Sequence, residues 1–564
     1  MKNIIFFVVI VVFLITFKSV IGQGILNSDD FLTPPDHAKV HVWWHWIQGA
    51  ISKEGITKDL ESMKDQGVGQ ATIFNIGLLQ KKDFYPDRIL FRSPEWYAMF
   101  RFALEEADRL GIKIGINNCD GWATSGGPWV KPENSMKQFV WTETIVEEGD
   151  NSKIFLQKPK HKLNYYEDIA VLAVKNNGNI SAFQRVKPKV YLNKINTERH
   201  LFDGCPFTGY EIKPKDTVNL HFENAITANK IAIHLYKMQL SWGNDPEDAT
   251  TNFKMQFSND NKHFQTLDTF KLSVINETSV ISIPDIKAKY LRLIFNKTPK
   301  SGQHAPPYLT EVELLQDNEN PLFQTDIPYY CAKIGICNVK DRNAFDISQE
   351  NLSKKGLKRS EIINVSQYIN EAGELNYSLP AGNWSIIRFG YTTTGKENSP
   401  ATAEGTGLEV DKMDTTALNE FFAGFPQQLI EHAGNYTGNT FKFLLIDSWE
   451  ANLQNWTNEF PKHFEKGRAY DIISWIPALC GKTVEDNRQT EAFLYDFRLT
   501  IADLIEQNYY KHFRTLCYRN KLEFHAEVIY GGFRYPSLDV IKTNSYTDMP
   551  MMEYWTSDIN NGKI

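Results

Sequence analysis

The order of strands and helices constrains this chain most. Strands and helices alternate, a long run of short strands follows, and then the alternation returns. Residues 41–46 are a β-rich run. Residues 52–66 carry Ile56, Leu60 and Met63 at helical spacing and stop at Gly67, which suits a helix C-terminus. Residues 71–76 read as a short buried strand. Ser93-Pro94-Glu95 reads as a helix start: a hydroxyl cap, proline at the first helical position, and an acid near the positive end of the helix dipole. That helix places Phe100, Ala103, Leu104 and Ala107 on one face, ends at Gly111 and leads to a third strand over 113–118. Strands alternating with helices form parallel β/α units.

From about 157 to 317 helical spacing almost disappears. Runs at 230–236, 253–258, 280–283 and 290–295 alternate as the strands of a β-sandwich do. His200-Leu201-Phe202-Asp203-Gly204, Phe257-Ser258-Asn259-Asp260, Lys289-Tyr290-Leu291-Arg292-Leu293 and Leu309-Thr310-Glu311-Val312-Glu313-Leu314 resemble a discoidin-like jelly roll. As an insert, such a unit serves either as a brace or as a sugar binder. A strand over 384–393 fits either neighbouring domain. The β/α rhythm then resumes with a strand over 441–446. A long amphipathic helix covers 491–519, with Phe493, Phe497, Ile501, Leu504 and Ile505 on one side. A strand over 522–529 and a last one near Met552 follow.

The expected division is a signal peptide over 1–22, a first barrel part over 23–140, and an inserted carbohydrate-binding-like sandwich over 141–320. A β-rich connection over 321–400 and a second barrel part over 401–564 complete it. Six barrel strands are readable, near Val42, Ile73, Ile114, Leu445, Phe524 and Met552. A closed (β/α)8 TIM barrel needs eight. The expected fold is therefore α/β, a (β/α)8-type barrel incomplete at the C-terminus unless two strands escape pattern reading.

The formal charge of −7 and the lack of a long basic run argue against a nucleic-acid partner. Lys2, the apolar run 4–17 and the small Gly22 read as an export signal cleaved before Gln23, with an uncleaved anchor as the alternative. The run is shorter than the ~20 residues of a spanning helix. The expected location is periplasmic or secreted, with no stable membrane insertion after cleavage. Of the six cysteines, Cys331 and Cys337 are close enough to pair locally, and plain buried thiols suit most of the others. The 13 Trp suit either core filling or stacking against the apolar face of a sugar.

Active sites of (β/α) barrels lie at the C-terminal ends of the strands. The polar and aromatic residues there are His45 and Trp46, Asp120 and Trp122, Asp447 and Glu450, Glu527, and Glu553 with Trp555. Two carboxylates with separated pKa values are what glycoside hydrolysis requires. Each residue also has a plain structural reading. Glu450 would be a helix-start acid, Glu527 and Glu553 buried ion-pair members, Asp120 a turn stabiliser and His45 a core histidine.

Several motifs, in one order, resemble glycoside hydrolase family 106, the α-L-rhamnosidases. They are Trp43-Trp44-His45-Trp46, Lys53-Glu54-Gly55-Ile56-Thr57, Ser93-Pro94-Glu95-Trp96 and Asn118-Cys119-Asp120-Gly121-Trp122. Gly390-Tyr391-Thr392-Thr393-Thr394-Gly395, Gly407-Leu408-Glu409-Val410-Asp411-Lys412 and Asp447-Ser448-Trp449-Glu450 continue the series. The resemblance implies removal of terminal α-L-rhamnose from plant-type glycans, with inversion and with Ca2+ assisting at the sugar hydroxyls. It makes Glu450 the general acid and a later glutamate the base. That base is either Glu553 or a residue beyond Ile564, because the proton acceptor of many such barrels follows strand seven. His45, Trp46, Asp120, Trp122, Asp447, Glu527 and Trp555 would bind an oligo- or polysaccharide substrate. Alternatives are a glycosidase of other specificity and a non-catalytic or truncated carbohydrate-binding protein.

Overall fold

A computed structural model of the protein describes residues 32, 34–77, 87–149, 153–176, 181–186, 188–197, 201–236, 250–273, 278–297, 308–325, 327, 330–335, 353–449, 451–528 and 538–552. Its centre is a curled sheet of six parallel strands in chain order: β1 (Val40–Ile47), β2 (Val68–Ile76), β3 (Lys113–Asn117), β4 (Phe441–Ile446), β5 (Glu523–Glu527) and β6 (Met549–Met551). These are the six strands expected from the sequence. About 320 residues of other structure separate β3 from β4, yet the two pair directly.

Local chemistry fixes the first two crossover helices. The Ser52 hydroxyl accepts from the Gly55 N–H at 3.1 Å and opens α1 (Lys53–Asp65). The Ser93 hydroxyl accepts from the Trp96 N–H at 3.1 Å and opens α2 (Pro94–Leu110), which ends at Gly111 with φ 71°. That left-handed conformation carries no Cβ penalty at glycine. Ile73, Ile114, Ile116, Leu444, Ile446 and Ala526 face outward and join the helical residues Trp96, Phe100 and Ala103 in one core.

The inner face of the sheet is aromatic at its floor. The Phe443 ring stacks on His525 at 3.9 Å between centroids and meets His41 edge-on at 5.1 Å. A methyl group at Gly115 would lie 1.9 Å from the Phe443 ring, so only glycine lets β4 approach β3 here. The His41 Nε2 lies 2.6 Å from the Thr72 hydroxyl. Burial, and secondarily the neighbouring His525, lower the pKa of His41 to about 4. The unfolded chain therefore binds more protons than the folded one between the ordinary imidazole value near 6.5 and about 4. Stability is full above that window and falls as pH drops through it. The expected loss is up to about 3 kcal/mol. Urea unfolding of the protein and of His41→Leu from pH 7 to pH 4 tests this. The variant should show the shallower dependence, and equal slopes would rule the effect out.

Two large antiparallel sheets interrupt the β/α rhythm, beside two small two-stranded ones, among the described residues. Trp384–Thr393 pairs with Lys137–Val146 on one side and with Glu167–Lys175 on the other. The strand that fitted either domain thus lies outside the parallel sheet. The second sheet is built on two 20-residue strands, Thr217–Tyr236 and Thr278–Lys297, flanked by Tyr308–Leu315 and Thr250–Ser258. Its own core includes Ile231, Ile233, Phe253, Leu291 and Leu293. Its seam with the rest of the protein carries a Trp141 indole N–H donated to the Gly204 carbonyl at 3.0 Å. Nearby, Glu143 of the first sheet pairs with Lys482, also at 3.0 Å.

The expected long helix runs from Asn487 to Arg519, but a π-helical stretch, Ile505–Lys511, interrupts it. The wider turn buries Tyr509 and Tyr510 together. Cys119, Cys205, Cys480 and Cys517 are buried free thiols. The Cys331–Cys337 pairing and the export signal lie outside the described residues. Among the described residues no helix is long and apolar enough to cross a membrane.

Candidate active site

Parallel strands put their C-terminal ends at one rim, and period-two alternation decides which residues face inward. The last paired residues of β4 and β5 are Ile446 and Ala526. Asp447 and Glu527 come one step later and share the inner parity with Phe443, Leu445 and His525. Both are buried, at 1% and 2% exposure. Neighbouring strands run about 4.8 Å apart, so two carboxylates stand on adjacent strand ends in a site largely closed to water.

His45 and Trp122 border the same end. The His45 ring stacks on Phe74 at 5.5 Å and meets Trp122 edge-on at 6.3 Å. His45 is exposed, and partial desolvation lowers its pKa. Trp122 is half-buried against Phe74, Ile76 and Leu445. An aromatic wall beside buried carboxylates is an arrangement that can hold a sugar ring and its hydroxyls.

Trp46 and Asp120 stand elsewhere. Trp46 has the outward parity of Trp44 and packs edge-on against it and against Trp96, at 5.5 and 5.7 Å. It belongs to the layer between sheet and helices. Asp120 is fully buried and both its oxygens are engaged. Oδ1 accepts from Asn75 at 2.9 Å, and Oδ2 accepts from the Thr402 N–H at 3.0 Å and from the Thr402 hydroxyl. Burial pushes the Asp120 carboxyl up to about 7, against the pull of Thr402 and Asn75. A methyl at Gly405 would lie 2.0 Å from Oδ2, so the loop 398–405 closes tightly over this carboxylate. Glu450, Glu553 and Trp555 lie outside the described residues.

Beneath the rim lies a polar network that pattern reading passes over. Glu409 and Lys412 form a fully buried ion pair at 2.8 Å. The same Glu409 oxygen accepts from the Thr124 hydroxyl at 3.0 Å and from the Ser125 N–H at 3.1 Å. Two residues away, Asp411 pairs with Lys137 at 2.9 Å, again with both side chains fully buried. The available signal was the density of charge in Gly407-Leu408-Glu409-Val410-Asp411-Lys412, where isolated surface charges would be the default reading. Among the described residues no three His, Cys, Asp or Glu side chains converge so as to hold a metal ion.

A family model described as alpha-L-rhamnosidase (Glyco_hydro_106) matches residues 32–564. A Formosa agariphila protein, provisionally named a beta-glucuronidase, is 31% identical over 543 residues, covering 95% of this chain and 33% of that protein. The solved rhamnosidase from Novosphingobium sp. PP1Y aligns at TM-score 0.68 and 28% identity, over 94% of this chain and 50% of that one. The chain thus spans about a third of the first relative's length and half of the second's.

Proposed function

The chain belongs to glycoside hydrolase family 106, the alpha-L-rhamnosidase family, and from that premise we propose that it hydrolyses terminal α-L-rhamnosides of plant-type glycans by inversion. The observation that carries the reading is the pair of buried inner-face carboxylates, Asp447 and Glu527, at adjacent strand ends beside His45 and Trp122. In this reading Glu450, three residues past Asp447, protonates the leaving oxygen. Glu553 or a residue beyond Ile564 activates the water on the opposite face of the sugar. An inverting pair stands about 6.5–9.5 Å apart to admit that water. Asp447 and Glu527 hold sugar hydroxyls, and the His45–Trp122 wall shields the anomeric centre from bulk water. Trp46 and Asp120 act from behind, as packing and as the anchor of the 398–405 loop.

The antiparallel unit with its own core is proposed as a discoidin-like brace rather than a second sugar site, since the Trp141 indole N–H and the Glu143 N–H tie its Gly204 and Asp203 carbonyls to the first sheet. Export to the periplasm or beyond is proposed from the apolar N-terminal run. Calcium dependence is the expectation of the family resemblance. A chelator titration tests it: activity that survives chelation removes calcium from the reading.

The test of the main reading is hydrolysis of an aryl α-L-rhamnoside by the full-length protein, with the product anomer followed by NMR. Absence of rhamnoside hydrolysis ends the specificity reading, and a retained anomer ends the inverting one. The name of the Formosa agariphila relative favours one second reading, a glycosidase of other specificity. An aryl β-D-glucuronide in the same assay separates the two.

A further inference from the structure

We propose that Lys412 is a positioning residue for the loop after β4 that carries Glu450, acting through Trp449. The inference rests on the role proposed above for Glu450. The Lys412 ammonium is fully buried and held at one end by Glu409, with the Val410 carbonyl at 3.3 Å and the Met136 sulfur at 3.4 Å. Two aromatic faces take the rest of its surface. Trp449 lies 5.3 Å from the ammonium and Tyr509 5.6 Å, and the two rings meet edge-on at 6.3 Å. A desolvated cation over an aromatic face contributes more than an exposed one.

Each wall of this cage is fixed independently. The Tyr509 hydroxyl lies 2.6 Å from the Ser125 hydroxyl, which donates to Asn118 at the end of β3. The π-helical turn supplies the geometry that aims Tyr509 there. The Trp449 indole N–H donates to the Asn452 carbonyl at 2.6 Å and folds the loop back on itself. Asn452 has φ 62°, a left-handed turn that asparagine tolerates. The Lys412 N–H also donates to Gln454 at 3.0 Å. One residue therefore grips the loop on both sides of Glu450, through the ring before it and the amide after it. The other Glu409 oxygen accepts no hydrogen bond among the described residues.

The test uses Lys412→Met and Lys412→Arg in the full-length protein, with steady-state kinetics on an aryl α-L-rhamnoside and amide hydrogen exchange. A misplacement of about 1 Å at a reacting group costs about 10²-fold in rate. Lys412→Met should therefore lose about that factor in kcat while KM moves less than about threefold. Exchange should accelerate in the peptide 446–457 and stay unchanged in 217–236. Lys412→Arg, which keeps a cation over the rings, should recover most of the rate. Unchanged kcat in Lys412→Met overturns the proposal, as does a loss confined to KM. Should Lys412→Met fail to fold, Tyr509→Leu removes the other wall and should give the same kcat loss. Wild-type kcat there overturns the proposal too. If the unmodified protein does not cleave the rhamnoside, the functional reading fails by itself, and exchange at 446–457 alone decides whether Lys412 holds the loop.

Discussion

Replacing Glu450 by Gln should lower kcat on rhamnosides with poor leaving groups by about 10²–10⁴-fold, the range that general acid catalysis contributes. The amide keeps the size of the side chain and cannot supply the proton. The loss should shrink with the acidity of the leaving group, because a dinitrophenolate departs without protonation. The basic limb of the kcat profile should also disappear, since it reports loss of the acid's proton. What motivates the prediction is position: Glu450 follows a strand whose end presents the buried Asp447 inward. The residue before Glu450, Trp449, is locked by Lys412 and Asn452. A variant with unchanged kcat on an alkyl rhamnoside would remove Glu450 from the role of acid. A loss that is equal for all leaving groups would assign it to the water or to substrate binding instead.

The parts of this fold that were legible in the sequence are those whose causes are local. Ser52 and Ser93 cap their helices through groups three residues away, and Gly111 ends α2 by its own backbone freedom. The six parallel strands are short apolar runs between such signals. The strand Trp384–Thr393 was ambiguous for a physical reason. All ten of its residues are buried, as in the central strand of a parallel sheet, so alternation could not reveal its antiparallel partners. The long strands Thr217–Tyr236 and Thr278–Lys297 read as separate pieces because their pairing shifts register between His221 and Ile226 and again between Ala228 and Lys230. At the site, Asp447 and Glu527 were legible as acids ending apolar strands. Trp46 could have been set aside by period two alone, since His45 and its neighbour must face opposite ways. The engagement of Asp120 could not be read, because Asn75 and Thr402 reach it from distant parts of the chain.

Breaking the buried pair Lys137–Asp411 should cost far more than breaking an exposed ion pair. Asp411 Oδ2 accepts from Lys137 at 2.9 Å and from the Thr457 hydroxyl at 2.7 Å. Its Oδ1 accepts from the Met413 N–H at 2.9 Å and from Gln454. Asp411→Ala would leave the ammonium without a counter-charge in a site that water does not reach, at a cost of about 3–5 kcal/mol. The exposed pair Lys58–Glu54, at a similar 2.7 Å, should contribute less than about 1 kcal/mol. Urea unfolding of Asp411→Ala and Glu54→Ala makes the comparison directly, and equal losses would refute it. The double variant Lys137→Met, Asp411→Leu should recover most of the stability, because an apolar pair of similar volume needs no desolvation of charge. It should not recover the geometry. Lys137 opens the strand that pairs with Trp384–Thr393, while Gln454 and Thr457 belong to the loop after β4. A double variant that is stable yet still slow on rhamnoside would show that the charges serve the placement of that loop. One that regains both stability and rate would show that they serve the fold alone.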